Sequence, residues 1–132
     1  MAGEENAVAV YARTAAAGSP QLAAQVAAAM AWAARRGRRV AGVYVDDGVG
    51  GLVPLAERPG GARLIADAEA GGFAWVVVAE LDRFGRSLPV VVDAQRRLRA
   101  RGVGIAALRE EAGRGSPLAA AANGLMGKGG AR

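Results

Sequence analysis

Four short apolar runs punctuate the chain, each followed by charged, polar or glycine residues. Asn6–Tyr11 is continuous rather than helically spaced, which suits a strand buried on both faces. Arg39–Val45 and Val103–Leu108 read as two further strands, and Phe73–Glu80, the most apolar run, is expected at the centre of a sheet. Helical segments separate them. Ser19 and Pro20 suit an N-cap and a first helical position, so Gln21–Arg36, ending in Arg35-Arg36-Gly37, reads as a helix. Pro59–Ala70 closes on Gly71-Gly72, and Ser87–Arg101 collects arginines toward its C-terminus before Gly102.

Strand and helix alternating at this spacing imply right-handed crossovers and a mainly parallel sheet with helices on both faces. The expected class is α/β, a three-layer αβα sandwich with the flavodoxin-like strand order 2-1-3-4. Residues 1–111 form the expected domain. Residues 112–132 lose the pattern, with Gly113, Gly115, Gly124, Gly127, Gly129 and Gly130; only Ser116–Met126 is long enough for a short helix, and fraying is expected after it.

With 132 residues the chain has room for one domain, and 52% apolar residues against 5% aromatic leave Ala, Val and Leu to fill the core. Trp32 and Trp75 are expected in that core. No apolar stretch reaches membrane-spanning length and the N-terminus is acidic, so a cytoplasmic location without membrane association is expected. The absence of Cys and His excludes disulfides, thiolate nucleophiles and the commonest general base and metal ligand. Asp46-Asp47 lacks the further ligands a metal would need, and neither metal nor cofactor is expected. Charge adds a clue of its own: 17 basic against 12 acidic residues, with Lys128 the single lysine, makes a guanidinium-rich surface suited to phosphate. In Arg35-Arg36-Gly37-Arg38-Arg39, however, the arginines read as a solvated helix end.

In open α/β sheets ligands bind beyond the carboxyl ends of the strands. Arg13 lies just past the first strand, and Asp82-Arg83-Phe84-Gly85-Arg86-Ser87 just past the third. The order 2-1-3-4 makes those strands neighbours, so Arg13, Arg83 and Arg86 are expected to converge on a phosphate, with Asp82 holding a guanidinium in place.

Four segments resemble the N-terminal catalytic domain of the serine recombinases, the resolvases, invertases and large serine integrases. They are Tyr11-Ala12-Arg13; Gln25 within Gln21–Gln25; Asp46–Gly51 followed by Glu57-Arg58-Pro59-Gly60; and Leu81-Asp82-Arg83-Phe84-Gly85-Arg86-Ser87. The resemblance spans about Ala7 to Glu111. It implies site-specific DNA recombination, in which a serine two residues after the first arginine attacks a phosphodiester and forms a 5′-phosphoseryl bond without a cofactor. It further implies that Arg13, Arg83 and Arg86 hold the scissile phosphate, that Asp82 orients them, and that Gln25 and Arg58 line the site.

Here the corresponding position is Ala15, and a methyl group cannot attack phosphorus. Thr14 should face the opposite side of an extended segment, and Gly50 stands where the family has a loop serine. The family's long dimer helix and DNA-reading domain have no counterpart in Ser116–Arg132. The expected function is therefore a cleavage-inactive, degenerate or regulatory homologue that binds the DNA backbone weakly. Its expected partners are DNA and either a second copy or an active recombinase. Two alternatives stay open: an active recombinase domain whose serine was replaced or whose chain was shortened, and a nucleotide- or protein-binding module on the same fold.

Overall fold

The structure, a computed structural model, describes residues 5–130, with side chains as far as Leu125. Four parallel strands form one sheet: β1 (Ala7–Thr14), β2 (Arg39–Asp47), β3 (Trp75–Val78) and β4 (Gly104–Ala107), in the order β2-β1-β3-β4. This is the expected α/β arrangement and strand order. Helices α1 (Pro20–Arg35), α2 (Pro59–Glu69) and α3 (Leu88–Arg99) make the crossovers, followed by the single turn α4 (Leu108–Glu111) and by α5 (Pro117–Gly130). Single 3-10 turns occupy Leu55–Glu57 and Leu81–Arg83.

The sheet separates two apolar layers. On one side Val8, Val10, Val77 and Ala106 pack on Ala29, Trp32 and Ala33 of α1. On the other Ala7, Ala9, Tyr11, Val76 and Val78 meet Leu64, Ile65, Val91 and Leu98 of α2 and α3, together with Ala119 and Ala122 of α5. Successive β1 residues alternate between these layers because a strand's side chains alternate, so the unbroken apolar run marks a strand covered twice. Small side chains let the layers approach closely in a core with few aromatics. Trp32 is buried; Trp75 is partly buried, and Arg36 and Arg38 stack over the two indoles with guanidinium carbons 4.4 and 5.6 Å from the ring centroids. Stacking of this kind sets part of the Arg35–Arg39 run against aromatic surface.

Local signals set several helix ends. Ser19 Oγ accepts from the Gln21 amide, and Ser116 Oγ caps α5 by accepting from the Ala119 amide. Two boundaries differ from expectation. β1 continues three residues past Tyr11, because Arg13 and Thr14 pair with Asp46 and Asp47 of β2; Arg13 therefore lies inside the strand rather than beyond it. α5 continues past Met126 to Gly130, since glycine still adopts helical angles, and its Ala119 and Ala122 belong to the core. No helix among the described residues is long and apolar enough to cross a membrane.

Candidate functional site

The C-terminal ends of β1 and β3 lie side by side, and a crevice of about 420 Å³ opens above them. Arg13, Arg83 and Arg86 line it, with Ala15, Glu80, Asp82, Gly85 and Leu118. The three arginines thus converge as the topology requires. Their environments differ.

Arg13 is 3% exposed and turned toward main-chain oxygens: Nε donates to Arg83 O (2.9 Å), Nη1 to Val49 O (2.9 Å) and Nη2 to Asp82 O (3.1 Å). Burial lowers its pKa below the ordinary arginine value, and the nearby Arg58 charge pushes the same way. Arg83 donates from Nη1 to Arg13 O (3.3 Å) and from Nη2 to Glu80 Oε2 (3.0 Å). Arg86 is exposed, with its backbone amide fixed to Gly51 O at 2.8 Å. Arg13 is thus committed mostly to architecture, while Arg86 presents its guanidinium to the opening.

Other candidate residues take different places from those expected. Among the described residues the Asp82 carboxylate holds no guanidinium: Oδ1 accepts from Ser116 Oγ at 2.7 Å, tying the arginine loop to α5, and only the Asp82 carbonyl meets Arg13. Gln25 lines a neighbouring groove, and its amide is committed to the Arg13 backbone, accepting from N at 3.1 Å and donating to O at 3.0 Å. Arg58 is fully buried and outside the crevice lining; it donates to Val53 O, Tyr11 Oη, Arg83 O and Phe84 O. Both side chains brace the crevice from behind, because unpaired carbonyls and amides there would be costly. Thr14 is buried and donates its hydroxyl to Ala16 O at 3.0 Å.

Beneath the crevice runs a buried polar relay that local sequence pattern did not disclose. Arg58 Nη1 donates to Tyr11 Oη (3.0 Å), whose hydroxyl donates to Asp46 Oδ2 (2.8 Å). Asp46 also accepts from the Gly60 and Gly61 amides at 2.7 and 2.9 Å, at the positive N-terminal end of α2. A Cβ on Gly60 would lie 2.4 Å from Val45 O, so only glycine permits this approach. Burial raises the Tyr11 pKa above the ordinary phenol range. Asp46 is thus a structural anchor, and Asp47 accepts from the Gly18 amide at 2.9 Å. Among the described residues no group of three or more His, Cys, Asp or Glu side chains is gathered for a metal.

The family model described as "Resolvase, N terminal domain" matches residues 8–127. The chain belongs to the resolvase N-terminal domain family. Among solved structures it resembles the N-terminal catalytic domain of TP901-1 integrase, at 30% identity and TM-score 0.71, over 79% of this chain and 78% of that one. A resolvase family site-specific recombinase from Streptococcus pneumoniae aligns at 20% identity and TM-score 0.68, over 90% of this chain and 84% of that one. The C-terminal catalytic domain of ISC1926 TnpA, an IS607-like serine recombinase, aligns at 22% and 0.69, over 77% and 67%. The last two likenesses show the fold. No match was found among curated proteins. The chain is a serine recombinase catalytic domain, the type that serves site-specific recombination. In this resolvase domain the crevice wall carries the exposed Ala15.

Proposed function

We propose that this resolvase domain holds a DNA backbone phosphate in the crevice without cleaving it. One observation carries the reading: Arg13, Arg83 and Arg86 line the same opening as Ala15, whose methyl group is exposed there. Phosphoryl transfer needs cations at the equatorial oxygens and an attacking nucleophile. The crevice supplies the first and, at Ala15, withholds the second. The adjacent hydroxyl, Thr14 Oγ1, is bound to Ala16 O.

Binding is weak in this reading, because the crevice sets two carboxylates, Glu80 and Asp82, against its three guanidiniums and commits much of Arg13 to carbonyls. Contacts to phosphate carry no base information, so the domain relies on DNA shape, on a second copy or on a cleavage-competent recombinase for its position. Its role is that of a regulatory homologue. The test is a suicide duplex with the wild-type chain and Ala15→Ser, each resolved on a denaturing gel. The wild-type chain is expected to bind the duplex and form no covalent adduct, whereas Ala15→Ser forms a phosphoseryl adduct. An adduct with the wild-type chain, or no DNA binding at all, would overturn the proposal.

A further inference from the structure

A groove of about 580 Å³ adjoins the crevice on the α1 side of the sheet, and Glu80 and Arg83 line both. Its rim carries three guanidiniums, Arg83, Arg109 and Arg114, against one carboxylate, so its local charge is more positive than that of the crevice. Ala24, Ala28, Ala79 and Leu108 give it an apolar lining between those charges.

Local backbone geometry places the two outer arginines. In the single turn of α4, Glu110 Oε1 accepts from the Leu81 amide at 3.2 Å and Glu111 Oε1 from Trp32 Nε1 at 3.3 Å; neither lines the groove, and Arg109 does. Gly113, at φ +77°, then turns the backbone so that the Arg114 amide returns to Arg109 O at 2.8 Å, setting Arg114 beside Arg109. A side chain with a Cβ would be strained at that angle.

Glu80 occupies the meeting point. Its Oε2 lies 3.0 Å from Arg83 Nη2 and its Oε1 3.7 Å from Arg109 Nε, one oxygen to each guanidinium. Two guanidiniums bracketing two oxygens of one oxyanion is also how arginines clasp a phosphate. The Arg83 Nε–H has no acceptor among the described residues, so the present pairing leaves donor capacity unused.

We propose that the groove is a second phosphate subsite, in which Arg83, Arg109 and Arg114 take a nucleic-acid backbone phosphate next to the one in the crevice and Glu80 is the internal anion it displaces. The proposal rests on the crevice reading for its ligand. Arg83, shared by both cavities, couples them, so the two phosphates come from one strand passing over β3.

The test is fluorescence anisotropy of a labelled DNA duplex over a salt series, with amide chemical shifts during titration of inorganic pyrophosphate as a second readout. The variants are Arg109→Ala/Arg114→Ala, Glu80→Gln and Arg86→Ala, the first on exposed side chains whose removal leaves the core untouched. The double variant is expected to weaken binding about tenfold or more and to reduce the salt slope by about two, one for each arginine that no longer neutralises a phosphate. Glu80→Gln is expected to bind several-fold more tightly. Wild-type affinity and slope in the double variant, with binding weakened and the slope lowered in Arg86→Ala, would overturn the subsite while leaving the crevice reading intact. If the wild-type chain binds no DNA, the crevice reading fails and pyrophosphate decides the groove: shifts at Ala24 and Ala112 support it, and their absence overturns it.

Discussion

Replacing Arg58 by Ala separates an architectural arginine from a phosphate ligand. The side chain is fully buried and donates to three carbonyls and the Tyr11 hydroxyl. Arg83 O keeps a second donor in Arg13 Nε, whereas the Val53 and Phe84 carbonyls lose the Arg58 donor. Two deprived acceptors cost about 1–3 kcal/mol each. Removal of the cation also leaves the buried Asp46 short of compensation through Tyr11. A net loss of about 3–5 kcal/mol follows, the range seen when one member of a buried charged network is removed. Against a total stability of about 5–15 kcal/mol that is severe. Urea unfolding at neutral pH, followed by circular dichroism, measures it directly. Arg58→Lys is expected to recover part of the loss, because an ammonium keeps the charge and loses the planar fork. Stability within about 1 kcal/mol of wild type in Arg58→Ala, together with abolished DNA affinity, would refute the reasoning and return Arg58 to the phosphate.

Further tests follow from single neighbours. A Cβ on Gly51 would lie 2.1 Å from Arg86 Cγ, so Gly51→Ala is expected to displace Arg86 and weaken DNA binding several-fold with a preserved circular dichroism spectrum; unchanged affinity would show that Arg86 has no fixed seat. The chain's two tyrosines, Tyr11 and Tyr44, both titrate above the ordinary phenol value of about 10. For Tyr44, burial first and the Asp67 hydrogen bond second push the value up to about 12. A folded-state value above the unfolded one means that its contribution to stability is complete below about pH 10 and is lost as pH rises from about 10 toward about 12. Absorbance at tyrosinate wavelengths is expected to stay low in the folded protein at about pH 10.5, between those two values, and a one-tyrosine titration near pH 10 would contradict the packing around Tyr44.

Much of the fold was legible because it depends on neighbours in sequence. Ser19-Pro20 starts α1, and the apolar runs at β1 and β3 reveal strands covered on both faces. The convergence of Arg13, Arg83 and Arg86 followed from strand order alone. What each arginine does there did not follow, because it is decided by distant partners. Arg13 is turned inward by carbonyls up to 70 positions away, and Asp82 meets a serine 34 positions away. Asp46, given no metal role by the sequence, is the acceptor for two α2 amides, a role visible only when β2 and α2 are placed together. Glu80, the anion between two cavities, carried no signal beyond closing an apolar run. Pattern discloses which elements form; long-range hydrogen bonds decide which charges remain available.

In the proposed function, exposed guanidinium charge in the crevice binds DNA phosphate. Its most direct test is the salt dependence of duplex binding by the wild-type chain and by Arg86→Ala. Affinity is expected to fall steeply as salt rises, and Arg86→Ala to lower the slope by about one neutralised phosphate. A wild-type affinity indifferent to salt, or a slope unchanged by removal of the Arg86 guanidinium, would contradict the account.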